Sequence, residues 1–500
     1  MAAREEEVDR KVIPRWRPFR LMALLGELAA TSTSRPARIQ AGGLERLVEE
    51  WAENRSLSFA ADLVGAALVR GMPERARDAA EFIIQLGDEA PHSARILART
   101  TLGLQDPSVT ATLPPSPSRQ DLHTEIARLR KSLHEAPRNC VSWVDLARCY
   151  AVLGQSEPAT RAMRRALALA PENRFVLRSA ARLFIHTSDV ESAYALLRSA
   201  PVTRHDPWLL AAEIAIASKL DRTPRFLKEG KRKLEGDSAA PLHLSELCSA
   251  IATIELTEGH TRRARQLFRD SLRLPNDNAL AQVQWASRKH VGIALTPGDL
   301  SQPLGFEARA QTHRSEGRWE PALVEARNWL YDEPFSRHAA SFASYLAGLL
   351  ERYDEAAHLA QIGLDAGPRN PLLLNNLTFA LASGGHLDDA QRAFALIPPH
   401  EFDSSLRPTL LATQGLLLYR LGNVERGSFL YRQAVEEAKR RNQPFAVVLA
   451  SLYHAREAAI AGAADALEVW REAEREVEKA KPMPELPLLR SRHDPSSRQS

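Results

Sequence analysis

The sequence predicts an all-α protein, a right-handed solenoid of stacked helix pairs with an N-terminal helical extension. Two observations carry this expectation. Residues 304–400 repeat at a step of 34: Ala322, Ala356 and Ala390 keep it, as do Ala326, Ala360 and Phe394, and Pro334 and Pro368. The same step links Pro137 to Pro171 and Ala159 to Ala193. A fixed period of this length marks a helix–turn–helix array. Within each period the apolar residues recur at steps of three and four, so they line one face of a helix.

The unit that starts at Trp143 shows how one period is built. Leu146, Ala147 and Tyr150 line the first helix, and Gly154 stops it by taking the left-handed cap conformation without strain. Ala159, Met163 and Ala166 line the second helix, and Pro171 ends it. Arg174–Ala200 keeps Leu177, Ala180, Phe184 and Ala193. Between 206 and 295 the period drifts, with Gly259, Ala264 and Phe268 restoring it locally. Later units run through Phe306, Ala310, His313, Gly317, Ala322 and Ala326; through Leu374, Leu377, Leu381, Gly385 and Ala390; and through Leu411, Gly415, Leu418, Gly422, Gly427, Tyr431 and Ala434.

Residue by residue this pattern resembles the tetratricopeptide repeat, over roughly residues 121–480 and most closely at 139–200 and 303–440. The resemblance implies a concave groove lined by the first helix of each unit. Its register puts Arg148, Arg178, Arg182 and His186 toward that groove in the early units. In the later units it gives Gln311, Arg314, Tyr345, Asn375, Phe379 and Tyr419. Basic at one end and aromatic-amide at the other, such a groove suits an extended acidic peptide or a partner helix. Asn375 and Asn376 resemble the asparagines by which some family members hold a peptide, but the full set that clamps a C-terminal carboxylate is missing.

Read in order, residues 1–40 form an N-terminal arm with an extended-looking segment, Ile13 to Phe19. Its arginines and aromatics either anchor a partner or pack on the chain's own solenoid. Residues 41–104 read as a short helical unit, with Phe59, Leu63, Val64, Ala67, Gly71, Ala76 and Ala80 in repeat-like spacing. A Pro/Ser-rich linker covers 105–120. A first repeat segment covers 121–295, a break 296–303 and a second repeat segment 304–480. The composition of 481–500 predicts a disordered tail.

Composition narrows the function. With 66 basic and 62 acidic residues the net charge is only +4, too balanced for a dedicated nucleic-acid binder. Cys140, Cys149 and Cys248 form no CxxC pair, which fits a reducing compartment, and the expected location is cytoplasmic. Phe19–Ala30 is apolar but broken by Arg20 and Glu27, so it reads as neither a signal nor a membrane span. Phosphate loops, dinucleotide fingerprints, zincin motifs and nucleophile elbows are all missing, so the expectation is no enzyme, no cofactor and no metal.

The expected function is a non-catalytic scaffold or adaptor that presents its groove to a peptide, helix or subunit of a multi-protein complex. A regulator of a separately encoded effector enzyme is the natural refinement. The alternative is a nucleic-acid-associated regulator using three basic clusters: Arg225, Lys228, Lys231, Arg232 and Lys233; Arg262, Arg263 and Arg265; Lys439, Arg440 and Arg441. Aligned across units, these would track phosphates; otherwise they are solvated helix faces.

Overall fold

The computed structural model describes residues 10–19, 22, 42–70, 72–90, 92–103, 118–235, 241–289, 292–302, 304–367 and 370–493. Among the described residues every regular element is helical, and successive helices pack in pairs. The chain divides into two compact units. Of the described residues, the N-terminal unit takes those within 10–151 and 155–308, and the C-terminal unit those within 152–154 and 309–493.

The N-terminal unit opens with four helices, Gly42–Glu53, Leu57–Arg70, Arg77–Gln85 and His92–Thr101, around Trp51, Leu63, Val64 and Ile83. The Trp51 indole N–H donates to Asp78 at 3.0 Å, and its ring meets Phe82 edge-on. The segment 104–117, most of the expected linker, lies outside the described residues. Ser118 then caps the helix Arg119–Glu135: its hydroxyl accepts from the Asp121 N–H while the Asp121 carboxylate accepts from the Ser118 N–H.

From there first helices begin at Cys140, Arg174, Pro207, Pro241 and Asp277, steps of 34, 33, 34 and 36 residues. Helix pairing therefore continues through the stretch where the sequence period drifts. Each first helix starts where its sequence says it should. Asn173 and Asp206 accept the orphan N–H groups of the first turn, and Pro207 sits at a position that needs no donor.

The expected break at 296–303 contains a one-turn helix, Pro297–Leu300, capped by Thr296 and Asp299. The division between units falls after it, between Ala308 and Arg309, inside the helix Phe306–Ser315. In the C-terminal unit the first helices are Arg337–Leu349, Pro371–Ser383, Arg407–Arg420 and Pro444–Ile460. Each packs on its own second helix; the first three also pack on the next first helix, and Pro444–Ile460 packs on Arg407–Arg420, Val424–Arg440 and Leu486–His493. These contacts are why Ala446 to Ala458 is buried on every side.

Small residues set how closely the paired helices approach. A Cβ placed on Gly415 would lie 3.0 Å from the Gly427 carbonyl, and one on Gly427 would lie 3.0 Å from the Gly415 carbonyl. The turn between paired helices passes through the left-handed region at Gly317, Glu351 and Gly385, again 34 residues apart. Glu351 adopts φ 61° where its two counterparts are glycine, at a cost of about 1 kcal/mol.

The stretch 481–500 was expected to be disordered; instead it carries the helix Leu486–His493, which packs on Pro444–Ile460. Leu489 and His493 are buried, which overrides the proline and serine content around them. Residues 494–500 lie outside the described residues.

Candidate protein-binding faces

In the N-terminal unit the first helices present a row of polar groups. Glu246 accepts from Arg178 at 2.9 and 3.1 Å, from Asn276 at 2.9 Å and from Asn278 at 3.0 Å. The Arg178 guanidinium also lies 4.6 Å over the Trp208 ring. Gln282 donates to Thr253 at 2.9 Å. Asp277 and Glu307 complete the row.

The arm Arg10–Phe19 lies across this face in an extended form. Arg17 forks onto Asp277 with bonds of 3.1 and 2.8 Å. Arg15 donates to Asp277 at 3.0 Å and also to Glu307. Arg10 forks onto Glu307 at 2.7 and 2.9 Å and reaches Gln282 and Asn278, each at 2.9 Å. Two carboxylates thus serve three guanidiniums, in the bidentate geometry that makes arginine selective.

The arm backbone is held as well. Asn278 donates to the Ile13 carbonyl at 3.0 Å, Gln282 to the Arg10 carbonyl at 2.8 Å and Arg148 to the Trp16 carbonyl at 3.3 Å. At the far end the Phe19 N–H donates to Asp145 at 3.2 Å, and its ring meets Phe175 edge-on at 5.3 Å. Val12 packs with Leu210, Ile214 and Ile251. Burying Val12 and Phe19 stabilises the arm by about 1.5–3 kcal/mol each. Trp16 and Arg17 are 0% exposed. The arm runs opposite to the order of the repeats: Phe19 is at the helix Cys140–Val152 and Arg10 at Glu307.

Electrostatics follow the same geometry. Burial on its own would raise the Asp277 pKa, but Arg17 and Arg15 outweigh it and hold the carboxyl below its usual range. For Glu307 burial is again opposed, by Arg10 and Arg15, and the group is held far below an ordinary glutamate. Both are carboxylates at any physiological pH.

The C-terminal unit fills its face with the reverse chemistry. Glu485, just before the last helix, accepts from Arg314 at 3.0 Å and from the Tyr345 hydroxyl at 3.2 Å. Arg492 donates to the Leu349 carbonyl at 2.9 Å, and the His493 ring lies 4.9 Å from Tyr453. Beneath runs a buried network in which Arg420 forks onto Glu457, and Arg456 bonds Glu457 and the Tyr353 hydroxyl.

The residues expected to line the groove divide accordingly. Arg148 meets the arm, and Arg314 and Tyr345 meet the tail. Arg178 turns to Glu246 instead of an outside carboxylate, so the expectation of a basic groove for an acidic peptide is reversed: the arm's cations sit on acidic groups. Arg182 and Gln311 are half-buried, and His186 is buried. Asn375 and Phe379 are fully buried, Phe379 between the rings of Tyr353 and Tyr453. Tyr419 is bonded to His454 at 3.1 Å inside the helix packing. These last residues are core, because adjoining first helices and the tail occupy the space the register left open. Asn376 likewise turns inward, to Ser344.

Asp277, Asn278, Gln282 and Glu307 were not anticipated. They sit in or next to the drifting part of the period, and only a match between the arm's arginines and acids on first helices would have pointed to them.

Other chemistry is quiet. Burial pushes Cys149 up to about 11 and Cys248 up to about 12, and raises Cys140, so all three stay protonated thiols at neutral pH. Glu255, Glu258 and His260 bring ligand-type atoms within 4.8 Å of one another, but Glu255 already pairs with Lys231 at 2.6 Å. Among the described residues no helix is long and apolar enough to cross a membrane.

No protein-family model matches the chain, and no curated protein does. Solved structures do. One is a tetratricopeptide repeat protein from Parabacteroides merdae ATCC 43184, at 15% identity over 55% of this chain and 97% of that one, with a TM-score of 0.25. The APC/C hetero-tetramer Cut9-Hcn1 matches at 12% identity over 90% and 92%, with a TM-score of 0.36. The human IFIT1 dimer with PPP-AAAA matches at 13% identity over 86% and 93%, with a TM-score of 0.32. At these identities and TM-scores nothing about function passes from those proteins to this chain. The consecutive helix pairs themselves are the arrangement that the 34-residue period implies.

Proposed function

We propose that this chain is a non-catalytic, cytoplasmic scaffold that binds other proteins as a subunit of a larger assembly. The observation that supports it is the seat of the arm: the face of the N-terminal unit grips an extended polypeptide by side-chain forks, carbonyl contacts and apolar pockets at once. That is the equipment of a peptide-binding surface. Three free cysteines accord with a reducing compartment.

The basic clusters favour this reading over nucleic acid. Lys231 and Arg263 pair with Glu255, Lys439 with Glu436 and Glu476, and Arg440 and Arg441 with Glu437. At least five of the eleven cluster cations are thus engaged in local ion pairs, which weakens a continuous phosphate track. Affinity isolation of the intact chain from its native extract, after nuclease treatment, tests the reading. One protein partner recovered at fixed stoichiometry is expected; partners that all vanish on digestion would sink it.

A further inference from the structure

We propose that the arm's seat in the N-terminal unit is a recognition site for an extended segment of another protein bearing three arginines, which displaces the arm. The proposal rests on the scaffold reading and specifies its partner. The spacing is set by the groove: arginines at n, n+5 and n+7, matching Arg10, Arg15 and Arg17. An aromatic belongs at n+6 and another at n+9, matching Trp16 and Phe19.

Three features make the seat a reader of such segments rather than a generic slot. Glu307 receives n and n+5 together, and Asp277 receives n+5 and n+7 together, so a shift of register by one residue breaks every fork. Lysine cannot reproduce the paired bonds. Asn278, Gln282 and Arg148 address backbone carbonyls, which every residue offers, and so fix direction without demanding sequence.

The arm's ion pairs are also of the kind that a like segment can replace. Buried ion pairs fix register yet contribute little net stability, because desolvation offsets their attraction. The advantage of the arm over a free segment is then its covalent link to the same chain, which makes its binding intramolecular. A partner that adds contacts beyond the seat, or binds at a second point, overcomes that advantage.

The test uses full-length protein and a fluorescently labelled peptide of residues 10–19, read by anisotropy. Against the wild type, an Arg15→Ala/Arg17→Ala arm variant is expected to bind the peptide at least tenfold tighter, because its own arm competes poorly. Adding Asp277→Asn/Glu307→Gln should weaken that binding at least tenfold, as should replacing the peptide's arginines by lysines. A folded arm variant that binds no better than wild type, or binding indifferent to Asp277 and Glu307, would overturn the proposal.

If the arm variant does not fold, hydrogen exchange of the wild-type arm with and without millimolar peptide decides. Faster exchange of residues 10–19 supports displacement, and unchanged protection refutes it. A wild-type dimer that the peptide dissolves would overturn the foreign partner in favour of a second copy's arm. A stoichiometric partner retained despite a non-exchanging arm would remove this proposal and leave the scaffold reading standing.

Discussion

The two units cover equivalent faces with opposite chemistry. In the N-terminal unit the covering segment is extended and carries cations, Arg10, Arg15 and Arg17, to carboxylates fixed on the first helices. In the C-terminal unit the covering segment is helical and carries an anion, Glu485, to an arginine and a tyrosine. The first arrangement reads sequence, since three forks must register together. The second needs one carboxylate and an apolar helix face. The difference teaches that the repeat scaffold dictates where a segment lies but not its charge or its conformation.

The largest effect should come from breaking the arm's seat. Asp277→Ala leaves two buried guanidiniums short of a partner and is expected to cost about 3–5 kcal/mol. Hydrogen exchange resolved by unit should show lost protection in residues 118–308 and little change beyond 309. Equal loss in both units would erase the contrast between them.

Acid separates the units next. Burial holds His454 down to about 4, so the folded C-terminal unit keeps it neutral while the unfolded chain takes up a proton below about 6.5. Stability is therefore lost as pH falls from 6.5 toward 4, by about 3 kcal/mol. His454→Gln should flatten that dependence in denaturant titrations at pH 7.5, 5.5 and 4. Asp277 and Glu307 behave differently: their folded pKa values are depressed, so their contribution is complete above the unfolded values and fades only at lower pH. A steep loss in the N-terminal unit between pH 6.5 and 5 would contradict this.

Glu485→Ala should cost about 1–3 kcal/mol, the penalty for stranding Arg314 and Tyr345, and should loosen Leu486–His493 ahead of the rest. Limited proteolysis at Arg490 checks it; an unchanged cleavage rate would mean the tail is held by its apolar face alone. Smallest of all, Glu157→Ala removes an exposed pair with Arg161 and should shift the melting midpoint by no more than about 0.5 kcal/mol allows.

Much of this fold was legible beforehand. The 34-residue step placed the helix pairs because each unit must bury the same face against its neighbour. Register alone points Arg148, Arg314 and Tyr345 toward a groove, and in the fold they meet the chain's own arm and tail. Asp277 and Glu307 were not legible in this way, because their meaning depends on arginines 260 to 297 residues away and nothing local marks a partner at that distance. The tail misled for another reason: eight helical residues carry too little periodicity to outweigh the prolines around them. Asn375, Phe379 and Tyr419 were assigned to the right helices but not to the right environment, since register does not show what fills the space in front of a helix.

The arm precedes its seat by 297 residues at the Arg10–Glu307 contact. At translation rates of about 5–20 residues per second, Glu307 follows Arg10 from the ribosome by roughly 15–60 s. Through that interval the nascent chain has an arginine-rich segment with no groove to occupy, and closing so long a loop is among the slowest steps available to a helical fold. The arm is thus made well before its seat, and through that minute it lies open to whatever else binds an arginine-rich segment.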